Sequence, residues 1–126
     1  MALDKTTTLI LDSVTVAANT YSAASSYVDL STAVDFNISY DLTFGAGAVN
    51  GARIDLFCDP TGTTPDFTIG TYDDAIDSGD IAADASHRVK GSIQLNRSPK
   101  YVKAKVYNLD SSSITACSLY ATPQTP

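Results

Sequence analysis

The chain contains no glutamate, no tryptophan and one histidine, His87. A single histidine removes a multi-histidine metal site from consideration, and no Gly-x-Ser-x-Gly elbow exists to build a serine hydrolase around it. His87 reads as a loop residue at the start of a strand. With glutamate missing, all 14 acids are aspartate. Aspartate suits turns and loops, whereas glutamate suits helices, so long amphipathic helices are not expected. No apolar run approaches the roughly 20 residues of a membrane span. The start, residues 1–8, lacks the charged head and apolar stretch of a signal peptide, which predicts folding in a cytoplasm and no membrane partner. Basic residues are also scarce. Eight Lys and Arg against 14 Asp give a net charge of −6 and a sequence pI near 4.3. That balance opposes non-specific nucleic-acid binding, which needs a basic face to displace counterions. The two cysteines, Cys58 and Cys117, could form a disulfide on count alone, but in a reducing compartment they are expected as buried thiols. No cofactor is indicated.

What is present points to strands. In residues 34–44, Val34, Phe36, Ile38, Tyr40, Leu42 and Phe44 alternate with Asp35, Asn37, Ser39, Asp41 and Thr43. Side chains of a strand alternate faces with period two, so one face is buried and the other wetted. Plentiful Thr, Ser, Val and Tyr add to the β bias. At 126 residues the chain is expected to form one domain with a real core.

Taken in order, residues 1–8 read as a short arm. Residues 9–16 form a first strand with Ile10, Val14 and Val16 on one face and a bend near Asp12. Residues 17–26, small and polar, are a loop or irregular edge. A short strand at 27–30 and a turn at 31–33 lead into the long strand. Residues 45–51 hold Gly45, Gly47 and Gly51, which predicts a hairpin loop joining residues 34–44 to a strand at 53–58. A glycine-rich loop can cradle phosphate, but here no helix follows it. In residues 53–58, Ile54, Leu56 and Cys58 are expected inward, with Arg53, Asp55 and Phe57 outward. Residues 59–65 are a turn cluster, 67–72 a short strand, and 73–87 an acidic loop. Residues 88–96 put Val89, Ile93 and Leu95 on one face, and a turn at 97–99 follows. Residues 101–109 set Val102, Ala104 and Val106 inward. After a turn at 110–113, residues 114–121 close the fold, and residues 122–126 are a tail ill suited to pairing. About eight strands with turn signals between them predict an all-β chain, an antiparallel β-sandwich with a jelly roll as one wiring.

Two clusters invite functional readings. Asp73, Asp74, Asp77, Asp80 and Asp84 could supply oxygen to calcium, yet the spacing of a calcium-binding loop is absent, and a solvated acidic loop is the simpler reading. Arg88, Lys90, Arg97, Lys100, Lys103 and Lys105 are six of the eight basic residues, and Tyr101 and Tyr107 lie among them. They read as a solvated face or as a protein interface meeting an acidic surface. The expected interface set is Leu3, Lys5, Lys100, Tyr101, Lys103, Lys105 and Tyr107. Exposed Tyr101, Tyr107 and Tyr120 would instead suit a carbohydrate-binding module.

The Thr-rich first strand (6–16), the run 28–40, Arg53-Ile-Asp-Leu-Phe before a Pro-Thr-Gly turn, and the strand Lys100-Tyr-Val-Lys-Ala-Lys-Val-Tyr-Asn-Leu-Asp together resemble small structural proteins of tailed-phage virions. The resemblance is a pattern of strands over most of the chain and assigns no role to any residue. It implies a non-enzymatic, oligomeric virion protein, either a capsid decoration (cement) protein whose partner is a major capsid protein, or a tail, neck or fibre component. The arm would then add a strand to a neighbour or lie along it.

Overall fold

The computed structural model describes residues 4–58, 75–95 and 100–126. The expected turn at 59–65, strand at 67–72 and turn at 97–99 lie outside them, as do Leu3, Asp73, Asp74 and Arg97. The described residues form nine strands: β1 (Asp4–Lys5), β2 (Thr8–Val16), β3 (Val28–Asp29), β4 (Asp35–Thr43), β5 (Ala52–Phe57), β6 (Asp77–Ile81), β7 (Arg88–Gln94), β8 (Tyr101–Asn108) and β9 (Ile114–Thr125). All pair antiparallel. No helix in them is long and apolar enough to cross a membrane.

One sheet runs β1-β9-β4-β7, with β2 also on β9; the second runs β3-β8-β5-β6. From β2 onward the chain changes sheet at every connection except β5 to β6. This is the wiring of a jelly roll, a five-stranded sheet facing a four-stranded one, with β1 and β2 sharing the place beside β9. The alternation seen in the sequence supplies the core. Phe36, Ile38 and Leu42 of β4 and Leu119 and Ala121 of β9 face Ile54 and Leu56 of β5 and Val102, Ala104 and Val106 of β8, all buried. Each large apolar side chain buried this way contributes about 1.5–3 kcal/mol.

Several expectations are corrected. Residues 45–51 are not a hairpin, because β4 pairs with β7 and β9 while β5 pairs with β6 and β8. The loop instead carries the chain across the core from one sheet to the other. Its backbone N–H groups do form a cradle, but the anion in it is the chain's own. The buried Asp110 carboxylate accepts hydrogen bonds from Val49 N (2.8 Å), Asn50 N (2.7 Å) and Gly51 N (2.9 Å). Gly51 has φ +86°, and a Cβ there would run into the Ile81 carbonyl. Part of the expected acidic loop, Asp77–Ile81, is the strand β6. Residues 122–126 are not a loose tail: β9 continues to Thr125, pairing Gln124 with Lys5 and Asp35. Pro123 fits because the N-terminal ladder breaks opposite it, at residues 6–7 between β1 and β2, where Thr7 Oγ1 and Thr122 Oγ1 share a 2.9 Å hydrogen bond. From Asp4 onward the arm is therefore part of a sheet. Val34 precedes β4 and is 43% exposed.

The irregular edge expected at 17–26 is observed, and its small residues have a purpose. Residues 19–30 run along the outer edge of β8. Ser22 N donates to Val106 O while Ser22 Oγ accepts from Val106 N; Ser25 does the same with Ala104. Each serine thus satisfies a strand residue on both its groups without forming a regular strand.

Candidate functional site

The expected interface residues of 100–107 lie on the outer face of the second sheet. Tyr101, Lys103, Lys105 and Tyr107 alternate with the buried Val102, Ala104 and Val106, so one strand presents all four away from the core. The neighbouring β5 places Arg53, Asp55 and Phe57 directly across from Tyr107, Lys105 and Lys103. The sequence expectation put all three of those β5 residues in solvent. Asp55 and Phe57 are instead 1% and 3% exposed, and Tyr21 reaches both from the irregular edge, its hydroxyl on Asp55 and its ring edge-to-face with Phe57. Cys58, expected inward, is only partly buried.

Asp55 is the anchor of this face. Its carboxylate accepts from Arg53 Nε (2.6 Å) and Nη2 (2.9 Å), Tyr21 Oη (2.5 Å) and Ser78 Oγ (2.7 Å). Burial pushes the Asp55 carboxyl up, but these donors outweigh it and hold it below the usual carboxylate range. Burial, then the adjacent Asp55, pushes the Tyr21 phenol up. The hydrogen bond to Asp55 is the main reason the Arg53 guanidinium is held more firmly protonated than usual.

Around this anchor, cations sit over rings. The Arg53 guanidinium lies 5.2 Å from the Tyr107 centroid, Lys105 Nζ 5.5 Å from that of Tyr21, and Lys100 Nζ 5.4 Å from that of Tyr101. Tyr21 packs edge-to-face on Tyr107 at 4.8 Å, and Tyr27 on Tyr101 at 5.7 Å. Tyr107 Oη donates to Asn19 O. The result is a paved basic-aromatic surface whose side chains are pinned before any partner arrives.

The basic cluster of the sequence is divided. Arg88 and Lys90 belong to β7 of the other sheet, where Arg88 holds Asp41 through Nε (2.8 Å) and Nη2 (2.6 Å). Lys5 also belongs to that sheet, on β1. Tyr120 sits on β9, so it shares no platform with Tyr101 and Tyr107. His87 is exposed and its Nδ1 lies 2.9 Å from Asp84 Oδ1. Among the described residues no three His, Cys, Asp or Glu side chains come together as metal ligands. Cys58 and Cys117 are not bonded to each other. Burial pushes the Cys117 thiol up to about 12.

Sequence reasoning missed Tyr21, Tyr27, Arg53 and Asp55 as members of this face. The available signal was Arg53-x-Asp55-x-Phe57: a charge pair two apart on a strand shares a face with an aromatic, which announces a covered ion pair rather than a wetted face.

No protein-family model and no curated protein matches the chain. Solved structures do. A chain of dimeric latent PorU from Porphyromonas gingivalis matches with TM-score 0.52 and 10% identity, over 99% of this chain and 13% of that one. A Bacillus endospore appendage pilus protein matches with TM-score 0.48 and 11% identity, over 98% and 89%. A chain of the infectious bursal disease virus Gx strain matches with TM-score 0.49 and 16% identity, over 96% and 32%. At 10% identity the PorU likeness speaks to the fold alone.

Proposed function

We propose that the protein is a non-enzymatic structural component of a tailed-phage virion, a decoration protein that binds the outside of the head. Its docking surface is the outer face of β8 and β5, and its partner is the major capsid protein, met as a surface of opposite charge. The observation that carries this reading is the pinned basic-aromatic face, with Arg53, Lys100 and Lys105 each held over a tyrosine ring. Tyrosine and arginine are the residues from which protein interfaces draw their anchors. A face already ordered loses little side-chain entropy on docking. The sandwich behind it, with its crossing loop locked by Asp110, supplies the rigid scaffold such a plate requires. Several copies, as a homo-oligomer or on adjacent capsid sites, would convert weak single contacts into firm attachment.

The test is co-sedimentation of purified protein with preformed heads that lack it. Wild type pellets with the heads, and a Lys103→Glu/Lys105→Glu variant with an unchanged unfolding midpoint stays in the supernatant. Wild-type protein that is folded yet never pellets sinks the proposal. Recovery with isolated tails instead of heads would move the address to a tail, neck or fibre. Glycan binding lost on Tyr101→Ala or Tyr107→Ala would replace capsid docking with carbohydrate recognition at this same face.

A further inference from the structure

The opposite sheet carries a second surface of different character. A groove of about 390 Å³ crosses its outer face, lined by Asp12, Ser13, Asp41, Arg88, Ser118 and Tyr120 together with Thr43 and Ala116. The groove has a structural cause. β2 and β9 slip register three times along their ladder, and β4 and β9 slip between Asp41 and Thr43. At the same level two non-glycine residues, Ser13 (φ 46°) and Ala116 (φ 49°), adopt the left-handed conformation. Bulges bend a strand and re-aim its side chains, so a sheet face that would be paved is opened instead.

The lining is organised. Ser118 is buried, and its Oγ accepts from Ser13 N at 3.0 Å, which fixes the floor. Asp41 and Arg88 are locked as a two-point pair at 2.8 and 2.6 Å. That pair uses two of the five guanidinium N–H groups and leaves acceptor positions on the carboxylate. The hydrogen bond to Asp41 is the main reason the Arg88 guanidinium is held firmly protonated, and Tyr120 lines the same groove. An anion is disfavoured, because Asp12 and Asp41 both line the groove. A divalent cation is disfavoured, because Arg88 already neutralises Asp41. What fits a fixed carboxylate, a fixed guanidinium, a serine hydroxyl and a tyrosine is a neutral molecule with adjacent hydroxyls. Each hydroxyl can donate to the carboxylate and accept from the guanidinium, while an apolar ring face lies against the tyrosine. The volume is at the small end of the ~300–1,000 Å³ range of ligand sites.

We propose that this groove, walled by Asp12, Asp41, Arg88 and Tyr120, is a carbohydrate-binding site that takes one end of a neutral glycan. It is independent of the docking face, which lies on the other sheet. A protein mounted on a particle through β8 and β5 would leave the groove turned outward, where a glycan can reach it.

The experiment is saturation-transfer NMR with free hexoses and N-acetylhexosamines, followed by a neutral-glycan array. Wild type gives transfer to at least one sugar at millimolar concentration. Asp41→Asn, Arg88→Ala and Tyr120→Ala each weaken that binding by roughly tenfold or more, the loss expected when a hydrogen bond to a charged group or a stacking contact is removed. Lys105→Glu, on the other sheet, leaves it unchanged. Tyr120→Phe serves as a second, structurally mild variant, with unfolding midpoints recorded for all. No binding across the panel overturns the proposal, as does binding that survives all three groove variants or that disappears with Lys105→Glu. Since capsid docking reads the other face, the two proposals fail separately.

Discussion

Removing the carboxylate of Asp110 should be among the most damaging polar changes in the molecule. The side chain is 1% exposed and fills a cradle of three successive N–H groups from Val49, Asn50 and Gly51. Hydrogen bonds to a charged group are worth about 1.5–3 kcal/mol each, and they are not additive when they share one acceptor group. Asp110→Ala leaves three donors without a partner in a loop that must cross between sheets, so a loss of about 3–5 kcal/mol is expected. Asp110→Asn keeps one acceptor oxygen and turns an NH₂ toward the donors, for a loss of about 2 kcal/mol. With a urea m-value of about 2 kcal/mol/M, the midpoints should fall by about 2 M and 1 M. The pH dependence follows from the same geometry. Burial would raise the Asp110 carboxyl, but the Asn50, Val49 and Gly51 N–H groups hold it below the ordinary range. A depressed native value means the unfolded chain takes up the proton more readily. The stabilisation is therefore complete above the ordinary carboxylate value of about 3.9 and is lost as the pH falls from there through the native value. The difference between wild type and Asp110→Asn, measured by urea unfolding at each pH, should be constant near neutrality and shrink in acid. A midpoint for Asp110→Ala within about 0.3 M of wild type, or a difference that grows in acid, would refute the reasoning.

Other expectations rest on separate features. Arg53→Ala leaves Asp55 buried with its main counter-charge gone and should cost about 3–5 kcal/mol by denaturant unfolding, whereas Lys90→Ala should cost under about 0.5. Ile38→Asp places a charge in the centre of the core and should abolish cooperative unfolding, while Asn37→Ala, on the outer face, should shift the midpoint little; equal effects would mean that the face assignment is wrong. Gly51→Ala combines a positive φ with a collision against the Ile81 carbonyl, so the protein should be recovered mainly unfolded or not at all by size-exclusion chromatography. Cys117, buried with its thiol pushed up to about 12, should resist alkylation at pH 8 in the native protein and react once urea unfolds it, as read by mass spectrometry.

The fold class was legible because it is written in period two. Phe36, Ile38 and Leu42, or Val102, Ala104 and Val106, state their inner face with no help from the rest of the chain. Partnership between strands is not written that way. Residues 45–51 have the composition of a hairpin, and a seven-residue glycine-rich connection can either reverse along one sheet or step to the other. What decides is Asp110, some sixty residues later, whose carboxylate orders the loop. Lone local signals also failed at β6 and at the end of β9. Asp77-Ser-Gly-Asp reads as part of an acidic loop, yet Gly79 lies opposite Ile54, and a Cβ at Gly79 would crowd the Ile93 side chain across the sandwich. Pro123 reads as a strand terminator, yet it falls where the N-terminal ladder has no pairing to lose.

The same limit explains the candidate site. A sequence shows which residues share a strand face but not what lies over that face. Six basic residues within eighteen positions looked like one patch; the jelly roll, changing sheet between β7 and β8, puts Arg88 and Lys90 on one side of the molecule and Lys100, Lys103 and Lys105 on the other. That division gives the two outer faces separate chemistry. On one, Lys105 meets Tyr21 from the irregular edge, Lys100 meets Tyr101 beside it, and Arg53 meets Tyr107 on the neighbouring strand, making the rigid plate proposed to meet a large acidic partner. On the other, Arg88 is committed to Asp41 beside paired bulges, making a polar recess that favours a small neutral one. A single charge-reversal on each sheet therefore separates the two. Lys105→Glu should abolish attachment to a particle and spare sugar binding, and Arg88→Glu should do the reverse. A variant of either kind that lost both activities while keeping the wild-type unfolding midpoint would mean that the faces are coupled, and that the sandwich between them is less rigid than its packing implies.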